Sequence, residues 1–408
     1  MRIVFVNRYF HPDHSATSQM LSDLAFFLAA AGHAVEVVTS RQRYDDAGAL
    51  LPADELVRGV HVHRVDTTRF GRDRLAGRAA DYASFYAAAG RQLARIARRG
   101  TVIVAKTDPP LISVVAGAVA RRRGARLVNW VQDVFPEVAV ALGMKVLHGP
   151  QGRAARWLRD RSLRAAAANV VVGERMADVA RRGGADDGSL HVIHNWADCS
   201  GIRPVDSDAN PLRGEWGMEG AFVACYSGNM GRAHEFDTIV DAAAQLAQSD
   251  VRFLFIGGGP QRRAVETAVA ERGLANIAFR PYQPRDSLSY SLGVGDVHLV
   301  SLRPELEGYI FPSKLYGILA AGRPTIFIGA ADGEIAQLVE REGIGLAVPQ
   351  GDAAALRDSL LRLAHDPALC AEMGVRARRL LGDRYDGAIA LARWKSMLEG
   401  LDALRQAA

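Results

Sequence analysis

The stretch RIVFVNRYFHPDHSATSQMLSDLAFFLAAAGHAVEVVTS, residues 2–40, contains a complete strand–helix–strand unit. RIVFVN is a short apolar strand, and the helix from Ser18 to Ala31 repeats apolar residues at the spacing of a buried stripe. Gly32 and His33 end that helix before a second strand, AVEVVTS. Two apolar strands joined through a helix predict a parallel sheet that helices cover on both faces.

The same alternation continues to NVVVG at residues 169–173 and resumes from AFVACYSG at residues 221–228. Between these stretches, residues 199–217 are rich in Pro, Gly, Asp and Ser, which is typical of a linker. The sequence therefore predicts an α/β protein with two Rossmann-like, doubly wound domains, 1–203 and 204–385, that face a central cleft. Amphipathic helices are expected at 352–381 and 386–404, and the final segment, 386–408, is expected to pack back on the first domain.

Bulk composition narrows the class of protein. With 408 residues, 49% hydrophobic and 23% charged, the chain is long enough for two cores and unlike a disordered protein. Cys199, Cys225 and Cys370 lie far apart, which argues against a disulfide framework or a zinc cluster. The strand that begins at Arg2 leaves no room for a signal peptide, and no apolar run reaches transmembrane length. We expect a cytoplasmic protein.

Positive charge is concentrated in the first half of the chain. Residues 1–200 hold 28 Lys and Arg against 19 Asp and Glu, a net charge of +9, and the remainder holds 22 against 26, a net charge of −4. Basic patches at 91–99, 121–126 and 153–164, the last with Trp157 and Leu158, fit anionic lipid or a lipid diphosphate. A general bias of the sequence toward Arg is the alternative. Nucleic acid is not expected, because the patches lack interleaved aromatic residues.

The segment SLRPELEGYIFPSKLYGILAAGRPTIFIG, residues 301–329, carries the strongest functional signal. Glu305 and Glu307 precede Pro312, Ser313, Lys314 and Leu315, which open a short apolar helix. Amides at a helix start and the Lys314 ammonium can face an anion, while the carboxylates can accept from sugar hydroxyls. These features predict a nucleotide-sugar site, and an ordinary capped helix with solvated acids is the alternative.

Loops that follow the strands of an open parallel sheet hold ligands at its carboxyl edge. In the second domain these loops supply candidate donor-binding residues: a glycine-rich turn for phosphate, cations to neutralise it and an aromatic ring for a base. The candidates are Gly228, Asn229, Arg232, His234, Gly258 and Tyr282. A plain tight turn and a packed loop are the alternatives for the glycine turn and for Tyr282.

In the first domain, Asp133 lies just beyond a predicted strand, where it can act as an acid or base or hold a sugar hydroxyl. The same residue also fits a turn signal before Pro136. The loop that leads into the first helix, with His14, Ser15, Ala16 and Thr17, is expected to cover the crevice on the acceptor side. No third ligand stands near its histidines and aspartate, so no metal is predicted.

Taken in order, several motifs resemble the family 4 glycosyltransferases of the GT-B fold, over nearly the whole chain. The similarity is greatest to the subgroup that builds bacterial O-antigen, capsule and colanic-acid-type polysaccharides, including N-acetyl-fucosaminyl transferases. The motifs are AGHAVEVVTS, TDPPL, WVQDVFPE, GERM followed by HNWAD, YSGNMGRAHEFDTI, FIGGGP and PSKLYGILAAGRP.

The chain also departs from the family pattern. Where the resemblance implies an Arg and a Lys on the donor diphosphate, this sequence has Asn229 and His234, with Arg232 as a substitute. The family's paired glutamates fall on Tyr309 and Gly317, so the ribose carboxylate is absent and Glu305 or Glu307 is expected at the sugar. Ser15, Ala16 and Thr17 replace the usual glycine pair of the first loop.

The resemblance implies transfer of a hexose-type residue, such as an N-acetylated deoxysugar, from a UDP-linked donor to a lipid-diphosphate-linked or other glycan acceptor. It further implies retained anomeric configuration, no metal or other cofactor, and Asp133, Glu307 and Lys314 as catalytic candidates. We expect the basic first domain to attach the protein peripherally to the inner face of the membrane. Two alternatives remain: a nucleotide-sugar epimerase of the same fold, and a non-catalytic subunit that binds nucleotide or lipid.

Overall fold

The computed structural model describes residues 1–13, 15–43, 50–71 and 75–406. The chain divides into two compact units. Unit 1 comprises Met1–His194, Gly308–Phe311 and Ala390–Ala408, and unit 2 comprises Asn195–Glu307 and Pro312–Ile389. Each unit is built on its own largely or wholly parallel sheet, so the predicted fold of two doubly wound α/β domains is confirmed.

Unit 1 contains an eight-stranded sheet in the order β3-β4-β2-β1-β5-β6-β7-β8. The strands are β1 (Arg2–Val6), β2 (Ala34–Ser40), β3 (Asp54–Val57), β4 (Val60–Val65), β5 (Val102–Lys106), β6 (Arg126–Val131), β7 (Ala168–Val171) and β8 (Leu190–Val192). The helices are α1 (Ala16–Ala30), α2 (Leu75–Ile96), α3 (Ile112–Arg123), α4 (Glu137–Ala141), α5 (Pro150–Ala165) and α6 (Glu174–Arg182).

One strand of unit 1 breaks the predicted parallel pattern. β3 pairs antiparallel with β4 at the edge of the sheet. The two residues between them, Arg58 and Gly59, both have positive φ, at 49° and 83°, as a tight hairpin turn that follows the twist of the strands requires. Of the four β3 residues, two are charged and a third, Leu56, is exposed, so the strand lacks the apolar periodicity by which the other strands were predicted.

Unit 2 contains a six-stranded parallel sheet in the order β11-β10-β9-β12-β13-β14. The strands are β9 (Phe222–Ser227), β10 (Val251–Ile256), β11 (Ile277–Arg280), β12 (Val297–Ser301), β13 (Thr325–Gly329) and β14 (Gly345–Pro349). The helices are α7 (Pro211–Glu215), α8 (Asp237–Gln245), α9 (Arg262–Glu271), α10 (Leu288–Gly293), α11 (Lys314–Ala320), α12 (Glu334–Arg341), α13 (Ala353–His365) and α14 (Pro367–Leu380), with α15 (Gly387–Gln406) at the end of the chain.

The helix expected at 352–381 is in fact two helices, α13 and α14. Pro367 lacks a backbone N–H and restricts the residue before it, so the first helix ends at His365. Asp366 then caps the second helix by accepting a hydrogen bond from the backbone N–H of Leu369 at 2.9 Å.

Helix α15 returns to the first domain, as predicted. From Ala390 onward it belongs to unit 1, where the indole of Trp394 packs against that of Trp130 with ring centroids 4.7 Å apart. Both indoles are fully buried, so this contact closes the core of unit 1 beneath β6.

Candidate active site

In unit 2 the chain reverses its direction of strand addition between β9 and β12. It first adds β10 and β11 on one side of β9, then returns to add β12, β13 and β14 on the other. Loops that follow the two strands at such a reversal diverge and leave a crevice at the carboxyl edge of the sheet. The loop after β9 holds residues 228–234, and the loop after β12 leads to α11 and Lys314.

Lys314 brings these two loops together. Its Nζ donates hydrogen bonds to Oη of Tyr226 and to Nε2 of His234, both at 2.9 Å, and lies 4.5 Å from the centroid of the Tyr226 ring. Among the described residues, no carboxylate forms an ion pair with this ammonium. Removal of the ammonium from water by the surrounding protein lowers the pKa of Lys314 to about 7. The site therefore holds a cation supported only by neutral groups.

His234 is one of those neutral groups. Its Nδ1 lies 2.5 Å from the carbonyl oxygen of Ser301, so Nδ1 carries the proton and Nε2 is left as an acceptor for Lys314. Burial, together with the Lys314 charge, lowers the pKa of His234 to about 3. The imidazole is uncharged near neutral pH, and its task in this arrangement is to orient the lysine. The positive charge that would neutralise a bound anion would come from Lys314 or from the exposed Arg232.

The glycines predicted at the site fix how the loops after β9 and β10 pack on each other. A Cβ atom at Gly257 would lie 2.2 Å from the carbonyl oxygen of Gly228, so no larger residue fits there. The backbone N–H of Met230 donates to the carbonyl oxygen of Gly258 at 2.6 Å. At Gly228 itself, φ is 133° and a Cβ would lie 3.3 Å from Cε of Lys314. The glycine turn lets the lysine side chain pass directly over the loop.

Tyr282 follows β11 and presents its ring to solvent, with 59% of the residue exposed. A Cβ atom at Gly258 would lie 3.2 Å from Cε2 of this ring, so the ring stands against the glycine backbone. Its hydroxyl donates to the carbonyl oxygen of Gly258 at 3.3 Å, and Asn229 Oδ1 lies 3.5 Å away. The predicted donor-binding residues Asn229, Gly258 and Tyr282 therefore lie together.

The two predicted acidic residues have separate surroundings within unit 2. Glu305 is exposed and pairs with Arg303, with Nε and Oε1 3.0 Å apart. Glu307 accepts a hydrogen bond at 2.8 Å from the backbone N–H of Glu334, in the first turn of α12. Glu307 thus stabilises a helix start, and a sugar hydroxyl bound by it would share the carboxylate with that amide.

At the start of α11, Pro312 and Leu315 are buried, so the side chain of Leu315 is not available to a ligand. Ser313 and Lys314 are partly exposed. One turn further, a Cβ atom at Gly317 would meet only Cδ1 of Leu292, at 3.6 Å. The place where the resemblance implies a ribose-binding glutamate therefore has room for a Cβ atom.

In unit 1, Asp133 follows β6; the residue as a whole is exposed, but protein surrounds its carboxyl group. The pKa of Asp133 is raised to about 6, chiefly because neighbouring protein excludes water, with the Asp108 charge adding and the Lys106 charge opposing. Asp133 and Lys106, the latter at the end of β5, both line a cavity of about 50 Å³. Sequence reasoning missed Lys106, because TVIVAKT reads simply as an apolar strand with a polar end.

The loop that enters α1 is partly described. Ser15 donates its backbone N–H to Oδ1 of Asp13 at 2.8 Å, and α1 begins at Ala16. The carbonyl oxygen of Thr17 accepts a hydrogen bond from Nζ of Lys106 at 3.0 Å. His14 lies outside the described residues. Within the described ranges, no group of three or more His, Cys, Asp or Glu side chains is arranged to hold a metal ion.

Two doubly wound α/β units, each on its own largely or wholly parallel sheet, define the GT-B class of fold. Residues 16–196 match the family described as the glycosyl transferase 4-like domain, and residues 221–366 match the family described as glycosyl transferases group 1. The segments that these two models match, which together span most of the chain, belong to the glycosyl transferase 4-like and glycosyl transferases group 1 families.

Two curated relatives agree with this assignment. The chain is 30% identical to the probable glycosyltransferase WbjE of Pseudomonas aeruginosa over 64% of its own length and 65% of the relative's. It is 29% identical to WcaI of Escherichia coli K12, a putative colanic acid biosynthesis glycosyl transferase, over 61% and 63%. Both matches span less than two thirds of those relatives.

Two solved structures share the fold over almost the whole chain. Sucrose-phosphate synthase from Thermosynechococcus elongatus superposes with a TM-score of 0.80 at 18% identity, covering 99% of this chain and 100% of that one. HepE from Anabaena in complex with UDP-glucose superposes with a TM-score of 0.74 at 17% identity, covering 98% and 100%.

No helix within the described residues has the length and apolar character that a membrane span requires.

Proposed function

We propose that this protein transfers a hexose-type residue from a nucleoside-diphosphate sugar to a lipid-diphosphate-linked or other glycan acceptor in bacterial surface polysaccharide biosynthesis. The family assignment and the similarity to WbjE and WcaI support this role. The similarity in fold to HepE bound to UDP-glucose favours a uridine diphosphate donor, and an N-acetylated deoxysugar is one candidate for the sugar.

The observation that carries the proposal is the Lys314 ammonium, held by Tyr226 and His234 above the glycine turn at Gly228. A cation that lacks a carboxylate partner gains most from a ligand that brings negative charge. A diphosphate that lies along residues 228–234 would supply this charge, and Tyr282 offers an aromatic surface nearby for the base.

In the proposed reaction, negative charge develops on the nucleoside diphosphate as its bond to the sugar breaks. The Lys314 ammonium stabilises that charge, aided by the exposed guanidinium of Arg232. Asp133 in unit 1 is the proposed contact for the acceptor. We propose, as the resemblance implies, that the anomeric configuration is retained and that no metal ion is needed, so activity should survive an excess of EDTA.

The test compares UDP binding by the wild type, Lys314→Met and the control Lys395→Met. Lys395 pairs with Glu399 on α15 and belongs to unit 1, whereas the residue 228 loop belongs to unit 2. Calorimetry should show weaker UDP binding only for Lys314→Met. A thermal-shift panel of uridine and guanosine diphosphate sugars then identifies the donor. With that donor, turnover should fall by roughly two orders of magnitude in Lys314→Met. Equal UDP affinity in all three proteins would contradict the proposal.

Incubation of the identified donor alone separates transfer from the two alternatives. An epimerase would convert the free donor into an isomeric sugar nucleotide, visible by proton NMR. A non-catalytic subunit would leave the donor intact even with lipid-linked glycan acceptors present. We expect slow hydrolysis without acceptor and sugar transfer with it.

A further inference from the structure

The cavity in unit 1 contains a buried lysine that the proposed function does not use. Lys106 is 1% exposed, and its Nζ lies 3.5 Å from the centroid of the Trp130 ring. Its hydrogen bond runs to the carbonyl oxygen of Thr17 at 3.0 Å. Within the described residues, no carboxylate lies within ion-pair distance of this nitrogen. Two of the three donor positions of an ammonium are thus left for other acceptors.

Asp133 lines the same cavity and supplies the opposite kind of group. In the part of the chain that the structure describes, neither of its carboxylate oxygens accepts a hydrogen bond from protein. Asn129, Thr107, Ser162 and Arg159, which also line the wall, are engaged with protein partners, and the Ser113 hydroxyl is a further polar group there. Lys106 and Asp133 are therefore the charged donor and the charged acceptor that remain available.

Much of the rest of the wall is apolar. It is formed largely by aliphatic side chains of α3, β7 and α6, including Ile112, Val171, Met176 and Val179. The cavity of about 50 Å³ is of a size for a small substituent and not for a whole sugar ring. The wall also contains Leu111, which has a φ of 63°, a backbone conformation that a branched side chain rarely adopts.

We infer that this cavity binds the acetamido group of an N-acetylated acceptor sugar. Lys106 would donate to the acetyl carbonyl oxygen, Asp133 would accept from the amide N–H, and the aliphatic wall would enclose the methyl group. An acetamido group is a small substituent that combines one acceptor, one donor and an apolar methyl group, the three features that this wall can contact. A hydroxyl group could satisfy both polar side chains, but it would leave the apolar part of the cavity empty. The inference rests on the proposed function, because it assigns the acceptor to unit 1.

Burial of Lys106 supports this assignment. The loss of hydration lowers the pKa of Lys106 well below its usual range, with Asp133, Asp23 and Asp108 opposing that shift. A lysine whose pKa is lowered still donates hydrogen bonds in both its charged and its neutral form. A neutral carbonyl oxygen is a suitable acceptor for either form.

The experiment uses the full chain with ¹³C-labelled methyl groups on Met and Val. Methyl N-acetyl-β-D-glucosaminide, its galacto isomer and methyl β-D-glucoside are titrated separately, with N-methylacetamide as the minimal probe. We expect the resonances of Met176 and Val179 to shift with every acetamido compound and not with the glucoside. Met373, in the core of unit 2, should not respond.

Two variants test the contacts. Lys106→Met removes the donor, and Ala180→Leu fills the cavity from α6. Each should abolish the acetamido-dependent shifts, whereas Ala154→Leu on the exposed side of α5 should retain them. Thermal melting confirms that each variant is folded, and Ala180→Leu keeps the test valid if Lys106→Met does not fold. Equal shifts with the glucoside, shifts that persist in both variants, or no shifts with any acetamido compound would overturn the inference. Nucleotide binding is measured in parallel, so loss of this site is distinguishable from loss of the proposed function.

Discussion

Nζ of Lys314 lies 2.9 Å from Nε2 of His234, although the two residues are 80 positions apart in the sequence. A lysine side chain at position 234 would therefore end close to where the Lys314 ammonium now lies. The chain places its cation on α11, whereas the family resemblance implies a lysine in the loop after β9.

This relationship predicts that the cation can be moved. Lys314→Met should lower turnover by roughly two orders of magnitude, because the ammonium that stabilises the leaving group is lost. His234→Lys alone should also impair the protein, since two ammonium groups would compete for one position. The double variant His234→Lys/Lys314→Met should regain about tenfold or more over Lys314→Met. Steady-state kinetics on the four proteins measure this, and a double variant no better than Lys314→Met would argue against equivalent positions.

Binding of a UDP-sugar should weaken as the pH rises through about 7, the pKa of Lys314. The diphosphate of a UDP-sugar does not titrate in this range and favours the charged ammonium, so affinity should fall by up to about tenfold per pH unit above pH 7. Calorimetry in buffers of different ionisation enthalpy should also detect proton uptake on binding. Lys314→Met should show neither effect. A dependence that survives in the variant would assign the titration to another group.

The same lysine should cost the free protein stability. Its pKa is lower in the folded state than in the unfolded chain, so the unfolded state binds more protons between about pH 7 and about pH 10. The free energy of unfolding should therefore rise with pH in that interval through this group. Lys314→Met should be more stable than the wild type without nucleotide, with a flatter dependence on pH. Urea unfolding at several pH values checks this, with Lys395→Met as the control; a less stable Lys314→Met would contradict it.

Gly317 offers a way to add a missing contact. A Cβ atom there meets only Leu292 within 4 Å, so we expect Gly317→Glu to fold and to place a carboxylate where the resemblance implies contact with ribose. One hydrogen bond to a charged group contributes about 1.5–3 kcal/mol, so UDP should bind roughly tenfold more tightly or better. Gly317→Gln is the matched control for charge. No gain with Glu over Gln would mean that the ribose lies elsewhere.

Helix α5 presents a surface suited to anionic membranes. Trp157 is 57% exposed, the guanidinium of Arg161 lies 5.8 Å from the centroid of its ring, and Val146, just before α5, is 56% exposed. An exposed indole among arginines fits the headgroup region of a bilayer.

We expect the protein to float with vesicles that contain phosphatidylglycerol and not with neutral vesicles, and to be released by salt. Arg153→Glu/Arg161→Glu should reduce binding by about tenfold or more, since each basic residue near an anionic surface contributes about 1 kcal/mol. Arg263→Glu, an exposed site on α9, is the control. Equal flotation of all three proteins would place the contact on another surface.

The fold was predictable because it depends on local patterns that repeat. Short apolar strands alternate with amphipathic helices through both units. This alternation can be recognised from neighbouring residues alone, without knowledge of contacts between distant parts of the chain. The hairpin strand β3 escaped prediction because its residues, DELV, show no apolar alternation and owe their conformation to pairing with β4. Pro367 indicates a helix break, but the apolar periodicity continues on both sides of it and led to the prediction of one continuous helix.

The site was predictable only in part. Lys314 and the glycine turn stood out because their chemistry is local to each loop. The supporting role of His234 depends on Ser301 and Lys314, which are distant in sequence, and no spacing rule connects them. Lys106 looked like the last residue of a strand, and its burial depends on Trp130 and on the Thr17 carbonyl.

The composition of unit 1 matters for anyone who exchanges parts between related enzymes. It is assembled from Met1–His194, Gly308–Phe311 and the end of α15, which brings Trp394 to cover Trp130. In a chimera with one crossover near residue 200, the N-terminal part of unit 1 would come from one enzyme, and Gly308–Phe311 and the end of α15 would come from the other. Neither of these smaller pieces would then pack against its native partners. Hybrids designed to change donor choice should retain the native tetrapeptide and the native C-terminal helix with the N-terminal part they complete.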